Sequence, residues 1–207
     1  MIYQALKRIV LAAYFTFLSV FSYPQAGADV YDSGADSYYK SGIIKFDLKD
    51  YRGAVADYDK SLEKNPTYKY AYRTYFNRGM AKIGMEDYEG AVKDFTKSIT
   101  LNNYVKAYGM RGVAKAKLKD SKGAIADFTK AIQLFPKFES AYYNRGLTKA
   151  SMENYKEAIA DFTKAIEINS NFPEAYRNRG IAYKKIGDVV KAKEDGEKYN
   201  ELKSKTK

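Results

Sequence analysis

Two small residues recur at a nearly constant interval along most of this chain, and this periodicity restricts the fold more than any other feature. Glycines recur at intervals of 37, 33, 34 and 34 residues, at Gly42, Gly79, Gly112, Gly146 and Gly180. An alanine follows each glycine by 12 residues, at Ala54, Ala91, Ala124, Ala158 and Ala192. A fixed period of roughly 20–50 residues indicates stacked repeats, in which each unit packs against its neighbours.

Aromatic residues recur with the same period and complete the pattern. A tyrosine lies four residues before each glycine, at Tyr38, Tyr75, Tyr108, Tyr142 and Tyr176. An aromatic residue follows each of the first four alanines by four residues, at Tyr58, Phe95, Phe128 and Phe162. Together the markers resemble the tetratricopeptide repeat, in which aromatic, glycine and alanine positions stand at this spacing within about 34 residues.

The resemblance covers residues 35–203 and implies an all-α fold, a right-handed α-solenoid of antiparallel helix pairs. The five repeats are expected at 35–71, 72–104, 105–138, 139–172 and 173–203. Three extra residues within 67–74 are expected to lengthen the first helix of the second repeat by about one turn. The last helix has Gly196 in place of the aromatic residue and many charges, which predicts a polar C-terminal cap.

A short polar residue precedes each expected second helix in one register. These residues are Asp50, Asp87, Asp120, Asn154 and Asp188. Their side-chain oxygens can accept hydrogen bonds from the exposed N–H groups of a helix N-terminus. We therefore predict an N-cap hydrogen bond at each position.

The first 28 residues have the organisation of a secretory signal peptide. Lys7 and Arg8 precede an apolar run over 9–21, and Ala26 and Ala28 form a small-residue cleavage site. A run of 13 residues is short for a membrane span of about 20, which favours cleavage over an uncleaved anchor. We expect an exported protein of the bacterial periplasm or exterior with no stable membrane anchor. Its mature chain would have a short segment over 29–34 and a basic tail over 204–207.

The composition removes the residue types on which most catalytic and metal sites depend. The chain contains no cysteine and no histidine, which excludes thiolate nucleophiles, Ser-His-Asp triads and Cys/His zinc sites. Carboxylate-only chemistry remains, but the acids near the expected groove, Asp36, Asp47 and Glu174, lie at its ends. We therefore expect no enzyme activity, no metal site and no cofactor.

The formal net charge of +11 has two interpretations. It could attract an anionic partner such as nucleic acid, or it could reflect a lysine-rich face in water. One register of the second helices carries Lys60, Lys97, Lys130 and Lys164, which the resemblance places on the outer face. No aromatic residues alternate with these lysines, so we expect no nucleic-acid partner.

Arginine and aspartate recur together sixteen residues apart in the second to fifth repeats. The expected pairs are Arg78 with Asp94, Arg111 with Asp127, Arg145 with Asp161, and Arg179 with Asp195. A catalytic or phosphate site would need these arginines to converge, whereas a solenoid separates them by one repeat each. We therefore predict structural ion pairs. The first repeat has Ser41 in the arginine register, so Asp57 needs another partner or faces water.

The resemblance also assigns a concave groove to the first helices of the repeats. The candidate groove residues are Tyr39, Phe76, Asn77, Met80, Met110, Val113, Tyr143, Asn144, Leu147, Arg177 and Asn178. We expect the apolar members to form a nearly continuous strip. Asparagine amides can donate and accept, so they suit recognition of a peptide backbone, although asparagine is also a common consensus residue of the family here. The carboxylate clamp of some family members is not in register, because Met110 occupies its arginine position.

These features favour an exported, non-enzymatic scaffold that binds a protein or peptide segment in the concave groove. One alternative is a structural or self-associating element whose groove holds residues 29–37 or a second copy, so homo-oligomerisation remains open. Another is a basic outer surface that binds an anionic partner. The sequence does not identify the partner.

Overall fold

The computed structural model describes residues 33–66 and 70–205. The proposed signal peptide, and residues 29–32 of the segment after it, lie outside this part of the chain. Within the described residues there are ten α-helices and no strand. The helices are α1 Ser33–Asp47, α2 Tyr51–Lys64, α3 Ala71–Gly84, α4 Tyr88–Asn102, α5 Val105–Lys117, α6 Ser121–Leu134, α7 Glu139–Ser151, α8 Tyr155–Ile168, α9 Pro173–Lys185 and α10 Val189–Ser204.

The helices form five consecutive pairs across the described residues, as the repeat pattern predicts. The two helices of a pair pack against each other, and the second also packs against the first helix of the next repeat. First helices of successive repeats contact each other as well. The result is a right-handed α-solenoid whose inner face is lined by the first helices.

The recurring glycines are required by the rings that pack on them. A Cβ atom added at Gly79 would lie 2.8 Å from the ring of Phe95, and one at Gly146 would lie 2.8 Å from the ring of Phe162. Phe95 and Phe162 have no exposed surface, and neither does Ala91. Glycine, alanine and ring thus pack together inside each of the first four repeats.

Four of the five predicted N-caps form within the described helices. Asp50, Asp87 and Asp120 accept from the backbone N–H three residues later at 2.9 Å, and Asp188 does so at 3.1 Å. The prediction is wrong for Asn154, whose side chain makes no cap hydrogen bond. Its neutral amide oxygen gains less from such a bond than a carboxylate does.

The predicted lengthening of the first helix in repeat two is also wrong. Helix α3 has 14 residues, against 13 to 15 in the other first helices of the described repeats. The preceding helix α2 ends at Lys64, and α3 begins only at Ala71. Pro66 ends α2 because the residue before a proline disfavours the helical conformation.

Candidate functional site

Each predicted arginine lies against its predicted aspartate, with two parallel hydrogen bonds. Arg78 donates from Nε and Nη2 to the carboxylate of Asp94 at 2.9 and 2.6 Å. The pairs Arg111–Asp127, Arg145–Asp161 and Arg179–Asp195 repeat this geometry with donor–acceptor distances of 2.7 to 3.0 Å. Burial alone would lower the pKa of Arg78, but the hydrogen bonds and charge of Asp94 raise it above its usual value. These side chains form bidentate pairs.

The third nitrogen of each arginine reaches the preceding repeat. Arg78 Nη1 donates to Asp59 at 2.6 Å. Arg145 Nη1 donates to Thr129 at 3.0 Å, and the Arg145 guanidinium lies 5.5 Å from the ring centre of Tyr142. Arg111 and Arg179 bind Thr96 and Thr163 in the same way, at 3.0 and 3.1 Å. Each arginine therefore joins two repeats and is occupied with structural contacts.

A recurring lysine completes this cluster, and the sequence analysis did not single it out. Lys82, Lys115 and Lys149 lie 2.7 to 2.8 Å from the same aspartates that the arginines bind. Each lysine follows its arginine by four residues, which is one turn along the same helix face. This four-residue spacing is the feature of the sequence from which the lysine could have been predicted.

Asp57 in the first repeat has no arginine opposite it and binds other side chains instead. Ser41 Oγ donates to its carboxylate at 2.6 Å, and Lys45 Nζ lies 2.7 Å away. Burial alone would raise the pKa of Asp57, but the hydrogen bonds from Lys45 and Ser41 together lower it below the usual value. Lys45 and Ser41 thus replace the arginine that binds the equivalent aspartate in the other repeats.

We expected an exposed apolar strip on the inner face, but several of its side chains are buried. Phe76, Met80 and Met110 are 8%, 6% and 8% exposed, and Tyr143 is 1% exposed. Aromatic residues outside the first helices cover part of this set: the ring centre of Phe76 lies 5.2 Å from that of Tyr104, the last residue of the same repeat. These residues belong mainly to the interior and offer little surface to a partner.

A narrower set of the candidate residues remains accessible on the inner face. Arg177 is exposed, and the others are half-buried: Tyr39, Asn77, Val113, Asn144, Leu147 and Asn178. Val113 and Leu147 follow the glycines of adjacent repeats by one residue, so they lie in one register of α5 and α7. The accessible surface is therefore more polar than the sequence suggested.

The three asparagines use their amide N–H groups inside the protein. Asn77 Nδ2 donates to Tyr39 Oη at 3.1 Å, and Asn178 Nδ2 donates to Tyr143 Oη at 2.8 Å. Each bond joins the first helices of two successive repeats, because the tyrosine lies in the repeat before the asparagine. In the repeat before Asn144, the position of this tyrosine is occupied by Gly109. Asn144 Nδ2 donates instead to the carbonyl oxygen of Ser140 at 2.9 Å.

The carbonyl side of each amide is left available. Within the described part of the chain, Oδ1 of Asn77, Asn144 and Asn178 accepts no hydrogen bond. All three lie half-buried in the same register of first helices that face the inner side. A half-buried carbonyl oxygen without a donor can accept an N–H from a bound backbone.

Residues 33–66 and 70–205 contain neither a candidate metal site nor a candidate membrane span. No group of three or more acids there is arranged to hold a metal ion. None of the described helices combines the length and apolar character needed to cross a membrane.

The chain was compared with known families, curated sequences and solved structures. Tetratricopeptide repeat models match residues 35–68, 72–104, 105–138, 140–172 and 162–194. No curated protein sequence matches. A crystal structure of MamA superposes with a TM-score of 0.73 at 27% identity, covering 83% of this chain and 92% of that one.

Two further structures share the fold. MamA from Desulfovibrio magneticus RS-1, from residue 41 to its end, gives a TM-score of 0.76 at 21% identity over 86% of this chain and 98% of that one. YrrB, a TPR protein with an unusual peptide-binding site, gives 0.66 at 24% identity over 81% and 86%. The periodic markers, the stacked helix pairs and the matching repeat models agree, and the chain belongs to the tetratricopeptide repeat family.

Proposed function

We propose that this protein is a non-enzymatic scaffold that binds an extended peptide segment along its inner face. The observation that carries the proposal is the row of amide oxygens at Asn77, Asn144 and Asn178, which accept no hydrogen bond within the described residues. YrrB, which has the same fold, has a peptide-binding site, and this supports the assignment without locating the site here.

The spacing of the first helices suits an extended chain. Packed helices lie about 8–10 Å apart, and an extended peptide advances about 3.3 Å per residue, so roughly three residues span one repeat. Each amide oxygen could then accept one backbone N–H, which gives affinity with little dependence on side-chain sequence. Val113 and Leu147 provide apolar contact between these polar points.

The inner face is also better prepared for binding than the outer face. Asn77 and Asn178 are each held by a tyrosine hydroxyl, so their carbonyl oxygens are oriented before a ligand arrives. The outer lysines Lys97 and Lys130 are exposed and form no ion pair within the described residues, and Lys164 is exposed and pairs with Glu167 at 2.6 Å. Preorganised groups lose less entropy on binding.

Site-specific photocrosslinking in the native cell tests the proposal. A photoreactive phenylalanine analogue would be placed at Leu147 on the inner face and, as the matched control, at Lys130 on the outer face. We expect a discrete protein adduct from position 147 and none from position 130. Adducts from position 130 alone would contradict groove binding and would favour an outer-surface mode.

Export is a further part of the proposal and rests on the sequence of residues 1–28. N-terminal sequencing of the protein recovered from the exported fraction should give a chain that begins at Asp29. Recovery of a chain that still begins at Met1 would favour a retained anchor.

A further inference from the structure

The turn inside the fifth repeat exposes three aliphatic side chains. Ile186 is 42% exposed, Val189 is 68% exposed and Val190 is 70% exposed. They lie within five consecutive residues, between the end of α9 and the start of α10. Gly187 between them has a φ of 85°, and apart from its chain neighbours no described atom lies within 4 Å of a Cβ placed there. The turn is therefore open, and clustered apolar side chains on an open surface indicate an interaction site.

Lysines beside this turn give it a positive charge. Lys184 and Lys185 end α9, are exposed, and form no ion pair within the described part of the chain. Lys191 lies in the first turn of α10 and pairs with Asp188 at 3.0 Å. The eight residues from Lys184 to Lys191 include three lysines and one acid, which gives a net charge of +2. Apolar and positive side chains thus lie side by side on one short turn.

The equivalent turns of the other repeats have one of these two properties but not both. In the third repeat, the eight residues 116–123 also have a net charge of +2, but Ser121 and Lys122 take the places of the two valines. In the first repeat, Leu48 is 74% exposed, but the turn has as many acids as cations. In the second and fourth repeats the turn is acidic. The repeat pattern therefore does not account for the combination found in the fifth repeat.

An anionic lipid surface fits this combination better than a protein surface does. Aliphatic side chains can enter the boundary between headgroups and acyl chains, and lysines beside them can reach lipid phosphates through their flexible stems. A stable protein interface buries about 800 Å² on each partner, which three aliphatic side chains do not supply. The same turn of a second copy would bring its own lysines against Lys184 and Lys185, and like charges repel.

We propose that the turn between α9 and α10 docks on the surface of an anionic lipid bilayer. Ile186, Val189 and Val190 enter the headgroup region, and Lys184 and Lys185 contact lipid phosphates. Three aliphatic side chains and a few lysines give reversible binding, far weaker than that of a membrane-spanning helix. This docking does not depend on peptide binding at the inner face.

Insertion of the turn can be measured with a single tryptophan, because the chain has none of its own. In the full-length protein, Val190→Trp should emit at shorter wavelength, and be quenched by brominated lipid, on vesicles of equal parts phosphatidylcholine and phosphatidylglycerol. The matched control is Lys122→Trp, at the equivalent position of the third repeat, whose emission should not change. Binding through residues 1–28 would leave both tryptophans in water and would overturn the proposal.

Flotation with the same vesicles tests the charge and the apolar surface separately. Lys184→Gln with Lys185→Gln should weaken binding about tenfold or more at low salt. Val189→Ser with Val190→Ser leaves every lysine in place and should weaken it about tenfold. Lys119→Gln with Lys122→Gln removes the same charge from the third repeat and should leave binding unchanged. Circular dichroism should show the same helicity for all variants, since the altered side chains are exposed.

Several other results would overturn the proposal. These are no binding to the anionic vesicles, equal binding to vesicles of phosphatidylcholine alone, and full binding by either the Lys184/Lys185 or the Val189/Val190 variant. Analytical ultracentrifugation without lipid tests the competing occupant. A concentration-dependent dimer that Val189→Ser with Val190→Ser abolishes would assign this turn to contact with a second copy and would contradict lipid docking.

Discussion

The fourth and the fifth repeat of this solenoid share one sequence pattern, but the fifth keeps only part of it. In repeat four, the ring of Phe162 covers Gly146, and Asp161 is bound by both Arg145 and Lys149. In repeat five, Gly196 replaces the ring, and apart from the adjacent residues and backbone of its own helix no described atom lies within 4 Å of a Cβ placed there. Tyr183 occupies the lysine position.

The difference shows which contacts the last repeat keeps and which are found only in a repeat that has neighbours on both sides. The arginine–aspartate pair persists to the end of the solenoid, with Arg179 and Asp195 at 2.7 Å. The interior ring and the second cation do not. Val189 at the start of α10 is 68% exposed, whereas Tyr155 in the same register of repeat four is half-buried. We therefore expect α10 to open at a lower free energy than α8.

The largest expected effect comes from the ring that repeat five lacks. Phe162→Ala leaves a cavity over Gly146 and should lower the free energy of unfolding by about 3–5 kcal/mol. Gly196→Phe in the last repeat adds a ring at an open position and should change it by about 1 kcal/mol or less. Thermal and denaturant melts measure both. Equal losses from the two variants would show that the rings are not what distinguishes the repeats.

The arginines give the next largest effect. Arg179→Leu leaves the buried Asp195 without a cation and should lower the local stability of α10 by about 3 kcal/mol. Arg145→Leu leaves Asp161 with Lys149 at 2.7 Å, so the loss should be about half as large. Native-state hydrogen exchange of α8 and α10 measures each value. A larger loss at repeat four would contradict the role given to the second cation.

A smaller effect is expected at the turns inside the repeats. Lys119 in repeat three and Gly187 in repeat five both have positive φ, of 63° and 85°. Gly187→Ala should cost about 1 kcal/mol, because a Cβ disfavours this conformation. Lys119→Gly should be neutral or slightly stabilising, since it removes that strain. A stabilising Gly187→Ala would show that this turn is not held in the left-handed conformation.

The smallest effect concerns the first repeat, where serine and lysine replace arginine. The pKa of Asp57 is lowered in the folded protein, so its contribution is present above about pH 4 and is lost as the pH falls through the folded value. The unaltered protein should therefore lose more stability between pH 5 and pH 3 than Asp57→Asn does. Urea melts across this range measure the difference. Parallel curves would mean that Asp57 titrates as it does in the unfolded chain.

The sequence predicts features that depend on one repeat and misses those that depend on two. The sixteen-residue spacing placed Arg145 opposite Asp161 because both lie in one helix pair. It could not show that Asn178 bonds to Tyr143, because this contact joins neighbouring repeats. The inner face was therefore predicted as apolar and is half polar. Lys149 was missed because its acid already had a partner in the sequence pattern.

The binding role of the inner face can be measured most directly on purified partner, once it is identified by crosslinking at position 147. Asn144→Ala with Leu147→Ala changes half-buried residues and leaves Tyr143 in the interior, so the helical signal and melting temperature should change little. Isothermal titration should show at least a tenfold loss of affinity for this variant and no loss when Lys97, Lys130 and Lys164 are changed to glutamate. Full affinity in the inner-face variant and loss in the outer-face variant would contradict the account.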